Sequence, residues 1–201
     1  MTDPDTIETY QAVADEYRDR NADRTGVEEL VERFLEAVEG AADGDHARIA
    51  DVGCGPGWES ATFSDHGHSV VGIDLTPNFL RAARDVAPTA EFARMDMRSL
   101  SLESDSFDGL WSCASFLHVP REDAPPTLEE FHRVLESGGI FLLSVKHGEG
   151  EVDGDVYETD ERSFTLYRPD ELSKMAEEAG FTVDSISIDA TQTWLQLLAR
   201  A

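Results

Sequence analysis

The run Asp51-Val52-Gly53-Cys54-Gly55-Pro56-Gly57 sets three glycines at alternate positions directly after a short apolar segment. Glycines there let the chain turn tightly and let a ligand approach the backbone with no Cβ in the way. A helix that follows offers its unpaired N–H groups to the same ligand. A second acid, Asp74, ends the next apolar segment 23 residues after Asp51. In an open α/β sheet an acid at that place holds ribose hydroxyls, so the constellation reads as a site for a nucleoside-bearing ligand. Its spacing is D-x-G-x-G-x-G. Counted from Gly53, Trp58 stands where the third glycine of the G-x-G-x-x-G dinucleotide fingerprint belongs. His118, in SFLHVP after a later apolar run, is the best-placed candidate base.

Such residues need strands that end together and helices that begin beside them. Apolar positions at helical spacing run from Ile7 to Ala42, broken over Asn21 to Gly26 and closed by Asp43-Gly44-Asp45. Strands are expected at 47–52, 69–73, 91–95, 107–113 and 140–145. Helices are expected at 58–66, at 77–86 with Thr76 as N-cap and Pro77 at its first position, at 121–135 and at 169–179. Strands 181–188 and 193–199 follow as a hairpin. This alternation predicts an α/β chain with a doubly wound, mostly parallel seven-stranded sheet, an antiparallel C-terminal hairpin and an N-terminal helical cap. The cap covers 1–42 and belongs to the same domain as the ligand-binding part, 43–201. Ligands of such sheets lie outside the carboxyl ends of the strands, where strand order reverses. Residues 146–168 carry no apolar period and are polar, acidic and glycine-rich, which suggests a lid.

The chain has 201 residues, 40% hydrophobic and 29% charged, enough for one domain burying roughly 70% of its unfolded surface. Forty-two acids against sixteen bases leave −26, and only Lys146 and Lys174 are lysines. The acids are scattered, as on a solvated surface whose self-repulsion high salt relieves. A halophilic source and a cytoplasmic location are the expectation. No apolar run reaches the ~20 residues of a membrane span, the first ten residues lack a leader's pattern, and no basic patch offers itself to nucleic acid. Neither nucleic acid nor membrane is an expected partner. Cys54 and Cys113 read as free thiols, and His66 and His68, flanking Gly67, as turn residues, so no metal site is expected.

IADVGCGPG resembles the first signature of the class I S-adenosylmethionine (SAM)-dependent methyltransferases. VVGIDLTP looks like their second, ARMDMRSLSLESDSFDGLWS like their third and fourth, and FHRVLESGGIFLLSV like the segment after that core. The resemblance spans roughly residues 7 to 199 and implies a Rossmann-like fold with SAM as cofactor. It implies that Asp51 and the loop of Gly53, Cys54, Gly55 and Gly57 sit by the methionine part. Asp74 would bind the ribose and Leu75 pack on the adenine. Asp96 and the N–H of Met97 would bond the base, Ala114 and Ser115 would border the sulfonium, and Tyr10 and Tyr17 would cap the cofactor. A carboxylate-lined cleft suits a sulfonium and an ammonium and repels a pyrophosphate.

Methyl transfer asks the protein to align nucleophile, methyl and sulfur, to exclude water, and at times to take a proton. In this family a histidine at the place of His118 often packs or orients instead. Ala114-Ser115-Phe116-Leu117 replaces the Asn-Pro-Pro-Tyr of members that methylate amino groups of bases or glutamine, which speaks against such acceptors. The expected acceptor is a small molecule, roofed by the N-terminal helix and residues 146–168, with Tyr157, Tyr167 and Arg168 as candidate contacts. The alternatives are an RNA- or protein-directed methyltransferase, an NAD-linked oxidoreductase, and a SAM-binding protein without turnover. Oligomeric state cannot be read from the sequence.

Overall fold

The computed structural model describes residues 4–41 and 46–201. The expected helix end at Asp43-Gly44-Asp45 lies outside them, as do residues 1–3 and 42 of the cap. The helical stretch is three helices: α1 (Pro4–Ala12), α2 (Ala14–Arg20) and α3 (Glu28–Ala41). Then come β1 (Arg48–Val52), α4 (Trp58–Asp65), β2 (Ser69–Asp74), α5 (Pro77–Val86), β3 (Glu91–Arg94) and β4 (Phe107–Cys113). After them run α6 (Ala124–Val134), β5 (Leu135–Lys146), β6 (Glu151–Asp153), β7 (Ser163–Thr165), α7 (Pro169–Glu178), β8 (Thr182–Ile188) and β9 (Trp194–Arg200).

The main sheet has seven strands in the order β3-β2-β1-β4-β5-β9-β8. β1, β2, β3, β4 and β5 are parallel, while β9 runs antiparallel to both β5 and β8. Successive side chains of a strand face opposite ways, and both faces are apolar. Leu110, Phe141 and Leu143 join one core with α6 and α7, through Leu128, Phe131, Leu172 and Ala176. Trp111, Ile140 and Leu142 join another with α3 and α4, through Leu30, Phe34, Val38 and Phe63. Phe34, Phe63 and Trp111 form a ring triangle with centroids 5.3–5.5 Å apart. Each such pair adds about 0.5–1.5 kcal/mol beyond its buried area. Helices thus cover both faces, and the expected fold and C-terminal hairpin are present.

Three local expectations are corrected. Pro125 and Pro126 lack the N–H a helix interior needs, so they sit in the first turn of α6, and Arg121–Asp123 is a separate 3-10 turn. β5 begins at Leu135, before the double glycine, because Leu135 already pairs with Phe107 and the register shifts before Gly109 meets Ile140. Thr76 makes no side-chain cap; its own N–H is taken by Asp74. Residues 146–168 are built rather than loose: β6 and β7 form an antiparallel ribbon, and His147 bridges Tyr167.

Candidate functional site

β1 and β4 are neighbours whose connections leave in opposite directions, toward β2 on one side and β5 on the other. The glycine loop crosses this gap. Gly53 has φ +78°, and a Cβ on it would lie 2.1 Å from Ser115 Cβ. Only glycine lets the loop rest on the chain leaving β4. Ser115 Oγ donates to the Val52 carbonyl at 2.8 Å, tying the two strand ends. The N–H groups of Gly53 and Cys54 both donate to the Ile73 carbonyl, at 2.7 and 3.0 Å, which brings in the end of β2.

Asp74 stands there. Its Oδ2 accepts the Gly55 N–H at 3.0 Å and its Oδ1 the Thr76 N–H at 2.7 Å. Burial pushes its carboxyl up and those two N–H groups pull it back, leaving it above the ordinary range. Asp51 is 2% exposed behind the loop and accepts the Ser60 hydroxyl. Burial, then the charge of Glu59, pushes it up to about 8. Glu59 is held by Arg24 (Nε–Oε1 2.9 Å), whose guanidinium lies 4.9 Å over Trp58.

Two recesses open on this face. The first, about 100 Å³, runs along Asp74, Leu75, Met97 and Val119. The second, about 500 Å³, reaches from Cys54 and Trp58 to Lys146, Tyr157, Arg162, Phe164 and Trp194. Tyr10, Tyr17, Gly53, Gly55, Cys113 and Ala114 border both, so the two adjoin.

The roof is a network between α1 and the β6–β7 segment. The N–H groups of Glu161 and Ser163 donate to the hydroxyls of Thr9 and Thr6, each at 3.3 Å. The Asp160 carboxylate grips Arg162 at two points (2.7 and 2.5 Å), and the two side chains are 2% and 7% exposed. That guanidinium sits 4.6 Å from the Tyr157 ring, 5.1 Å from Tyr10 and 5.2 Å from Phe164, and Nη1 donates to the Tyr10 oxygen at 3.3 Å. Tyr10 lies 2.9 Å from His118 Nε2, and His118 Nδ1 lies 2.8 Å from the Ser163 carbonyl. A carbonyl only accepts, so Nδ1 carries the proton, and Nε2 accepts from the Tyr10 hydroxyl. Burial above all pushes His118 down to about 4, and Arg162 and Lys146 add to the shift. The imidazole is neutral.

The structure brings most of the expected residues together. Tyr10, Tyr17, Gly53, Gly55, Asp74, Leu75, Met97, Ala114, Ser115 and His118 line the first recess, and Cys54 and Tyr157 the second. Asp51 and Gly57 lie behind the loop, outside both linings. Asp96 also lies off them, its carboxylate paired with Arg98 at 2.9 and 2.5 Å. Tyr167 is fully buried below Arg121, 5.2 Å from its guanidinium. Arg168 is exposed and pairs with Glu149 and Asp170. Neither stands on the acceptor side. The bases there include Arg162 and Lys146, which sequence reasoning passed over. The available signal was Asp160-Glu161-Arg162 between two aromatics, Tyr157 and Phe164. Arg24, Glu59 and Trp58 were also missed.

Residues 50–143 match a family described as a methyltransferase domain. The chain is 36% identical over 100 residues to the 2-methyl-6-phytyl-1,4-hydroquinone methyltransferase of a Synechocystis species, covering 48% of this chain and 31% of that one. It is 34% identical over 119 residues to the malonyl-[acyl-carrier protein] O-methyltransferase of Erwinia pyrifoliae, covering 56% and 41%. The match thus spans well under half of these relatives' own length. The fold superimposes with a TM-score of 0.77, at 22% identity, on the 1,6-didemethyltoxoflavin-N1-methyltransferase of Burkholderia thailandensis. That structure holds 1,6-didemethyltoxoflavin and S-adenosylhomocysteine, and the overlap covers 98% of this chain and 87% of that one. The fold is thus one that solved SAM-dependent methyltransferases share, and a little under half of the chain matches the methyltransferase domain.

Proposed function

We propose that this chain is a SAM-dependent methyltransferase and that it methylates a small molecule held in the second recess, under a roof made by α1, α2 and residues 146–168. The observation that carries the reading is the adjacency of the two recesses: a nucleoside slot at the strand-order switch shares its wall residues with a chamber lined by aromatic rings. The slot fits SAM. Asp74 ends β2 with a carboxylate for ribose hydroxyls, Leu75 and Met97 offer apolar surface for a base, and the loop presents backbone without Cβ. Acids near the loop suit an ammonium and a sulfonium, and Asp74 already occupies the Gly55 N–H that a pyrophosphate would want. Bound there, SAM supplies an electrophilic methyl: the acceptor's lone pair forms the new bond to carbon while the C–S pair stays on sulfur.

The chain's own part is placement and dryness. Tyr10 and Tyr17, at the junction, exclude water and fix the line of approach. His118 holds Tyr10 by its phenol and is thereby a positioning residue, since both its nitrogens are engaged. The Asp160–Arg162 pair and the threonine contacts fasten the roof. A roof bonded to α1 supports an acceptor small enough to lie beneath it.

Calorimetry with SAM, S-adenosylhomocysteine and NAD tests the slot: the two adenosyl ligands should bind and NAD should not. Transfer of radiolabelled methyl in molar KCl to a metabolite extract tests the chamber, with label expected in small molecules. Heat with NAD alone, or label only in macromolecules, overturns the reading.

A further inference from the structure

The second recess carries four bases in a chain of net charge −26. Three are satisfied: Arg20 by Glu16, Arg24 by Glu59 and Arg162 by Asp160. The fourth, Lys146, ends β5, half-buried with its Nζ 3.9 Å over the Phe164 ring. Among the described residues its ammonium makes no hydrogen bond or ion pair, whereas the side chain of every other arginine and lysine makes at least one. The acids of the recess are engaged elsewhere or stand off. Glu59 holds Arg24, Asp23 binds Thr25, and Asp189 takes the N–H groups of Thr193 and Trp194. Asp155 and Asp160 act on Lys146 only through space.

We infer that Lys146 determines acceptor specificity by pairing with an anionic group of the acceptor, which is therefore a small organic acid. This rests on the methyltransferase reading and narrows it. A half-buried ammonium without a partner is costly, and in so acidic a chain leaving one unpaired beside aromatic walls is a poor choice unless a ligand completes it. Burial, then the charge of Arg162, lowers Lys146 from the usual lysine range, as expected of a cation lacking its counter-ion. Tyr157, Phe164 and Trp194 suit a flat body between their faces. An acid methylated on its ionised oxygen also asks for no base, and the nearby imidazole of His118, in the adjoining slot, is tied at both nitrogens.

The test splits a metabolite extract on an anion exchanger and supplies SAM with a labelled methyl to the full chain. Label should enter the retained fraction. With that fraction as acceptor, Lys146→Gln should cut transfer at subsaturating acceptor by about ten- to a hundredfold, the weight of a charge-assisted hydrogen bond. Lys146→Arg should restore most of it, and the SAM Kd of both variants should equal that of the parent. Label only in the unretained fraction overturns the inference and leaves the methyltransferase reading standing. Lys146→Gln that transfers normally, or that weakens SAM tenfold, overturns it as well. Label in neither fraction, from protein that binds SAM, removes both readings.

Discussion

The two recesses are assembled in different ways. The cofactor side is local: Asp74 lines it, and Asp51, behind the loop, and Glu59, in the first turn of α4, lie within 24 residues of it. The acceptor side is aromatic and carries both signs of charge. It is assembled from α1, α2, the end of β5 and the β6–β7 ribbon, with hydrogen bonds joining residues more than 100 positions apart. The difference follows from the two tasks proposed above. One side holds a cationic cofactor, while the other must place a nucleophile against it, with Lys146 as the base left to draw in an anion. Long-range assembly also makes the acceptor side the part that can vary while the sheet and loop stay fixed.

The largest effect should come from the buried pair that fastens the roof. Asp160→Asn leaves Arg162 buried without its anion, a loss of the kind that costs about 3–5 kcal/mol. Thermal unfolding should drop accordingly, or hydrogen exchange should rise over residues 151–165 alone, and molar salt should not rescue either. An unchanged variant would mean that the roof is held by its rings. On the other side, Asp74→Ala should weaken SAM by about ten- to a hundredfold, and Asp74→Glu by much less. Equal affinity for parent and Asp74→Ala would put the nucleoside slot in the wrong place.

The unequal legibility of the two sides has the same cause. The glycine loop, Asp74 and the strand order could be read because a parallel sheet brings successive strand ends together. Asp96 was expected at the base from the family resemblance; Arg98, two residues on, pairs with it, a local ion pair that no periodicity reveals. Tyr167 and Arg168 were chosen for type and neighbourhood. Burial placed the first under Arg121, and the exposed turn before α7 placed the second in solvent. Arg162 and Lys146 were missed because their meaning depends on α1 folding back over the ribbon and on which bases lack partners, neither of which is a sequence property.

A pH experiment separates Asp51 from the surface acids. Burial pushes the folded Asp51 carboxyl up to about 8, whereas unfolded it returns to its ordinary value near 3.8. Between those values the folded chain holds a proton that the unfolded chain has released. Its contribution to stability therefore falls as pH rises, by about 1.4 kcal/mol per unit, and levels off above 8. Asp51→Asn, which keeps an acceptor for Ser60, should show a shallower decline of unfolding free energy from pH 5 to 8. An identical slope would show that Asp51 is ionised when folded. The scattered acids answer to salt instead. Molar KCl shortens the Debye length to ~3 Å, and the melting temperature should climb by several degrees, at roughly 2–4 °C per kcal/mol. A flat curve would remove the case for a halophilic origin.

The smallest effect is expected at the seam between the recesses. His118 borders the cofactor slot and touches the roof, so it invites reading as a base. Its geometry argues otherwise: Nδ1–H is given to the Ser163 carbonyl, and Nε2 receives the Tyr10 hydroxyl. An imidazole pushed down to about 4 binds a proton too weakly to draw one from an acceptor at neutral pH. His118→Asn can keep the bond to Ser163 and loses the grip on Tyr10. Transfer should therefore fall only a few-fold, Tyr10→Phe should fall about as far, and the double variant little further, because both changes release the same ring. The parent's rate should show no inflection between pH 5 and 7. A general base contributes about a hundred- to ten-thousandfold. A loss of that size in His118→Asn, with Tyr10→Phe nearly unaffected, would assign the proton to His118 and join the two recesses through chemistry rather than packing.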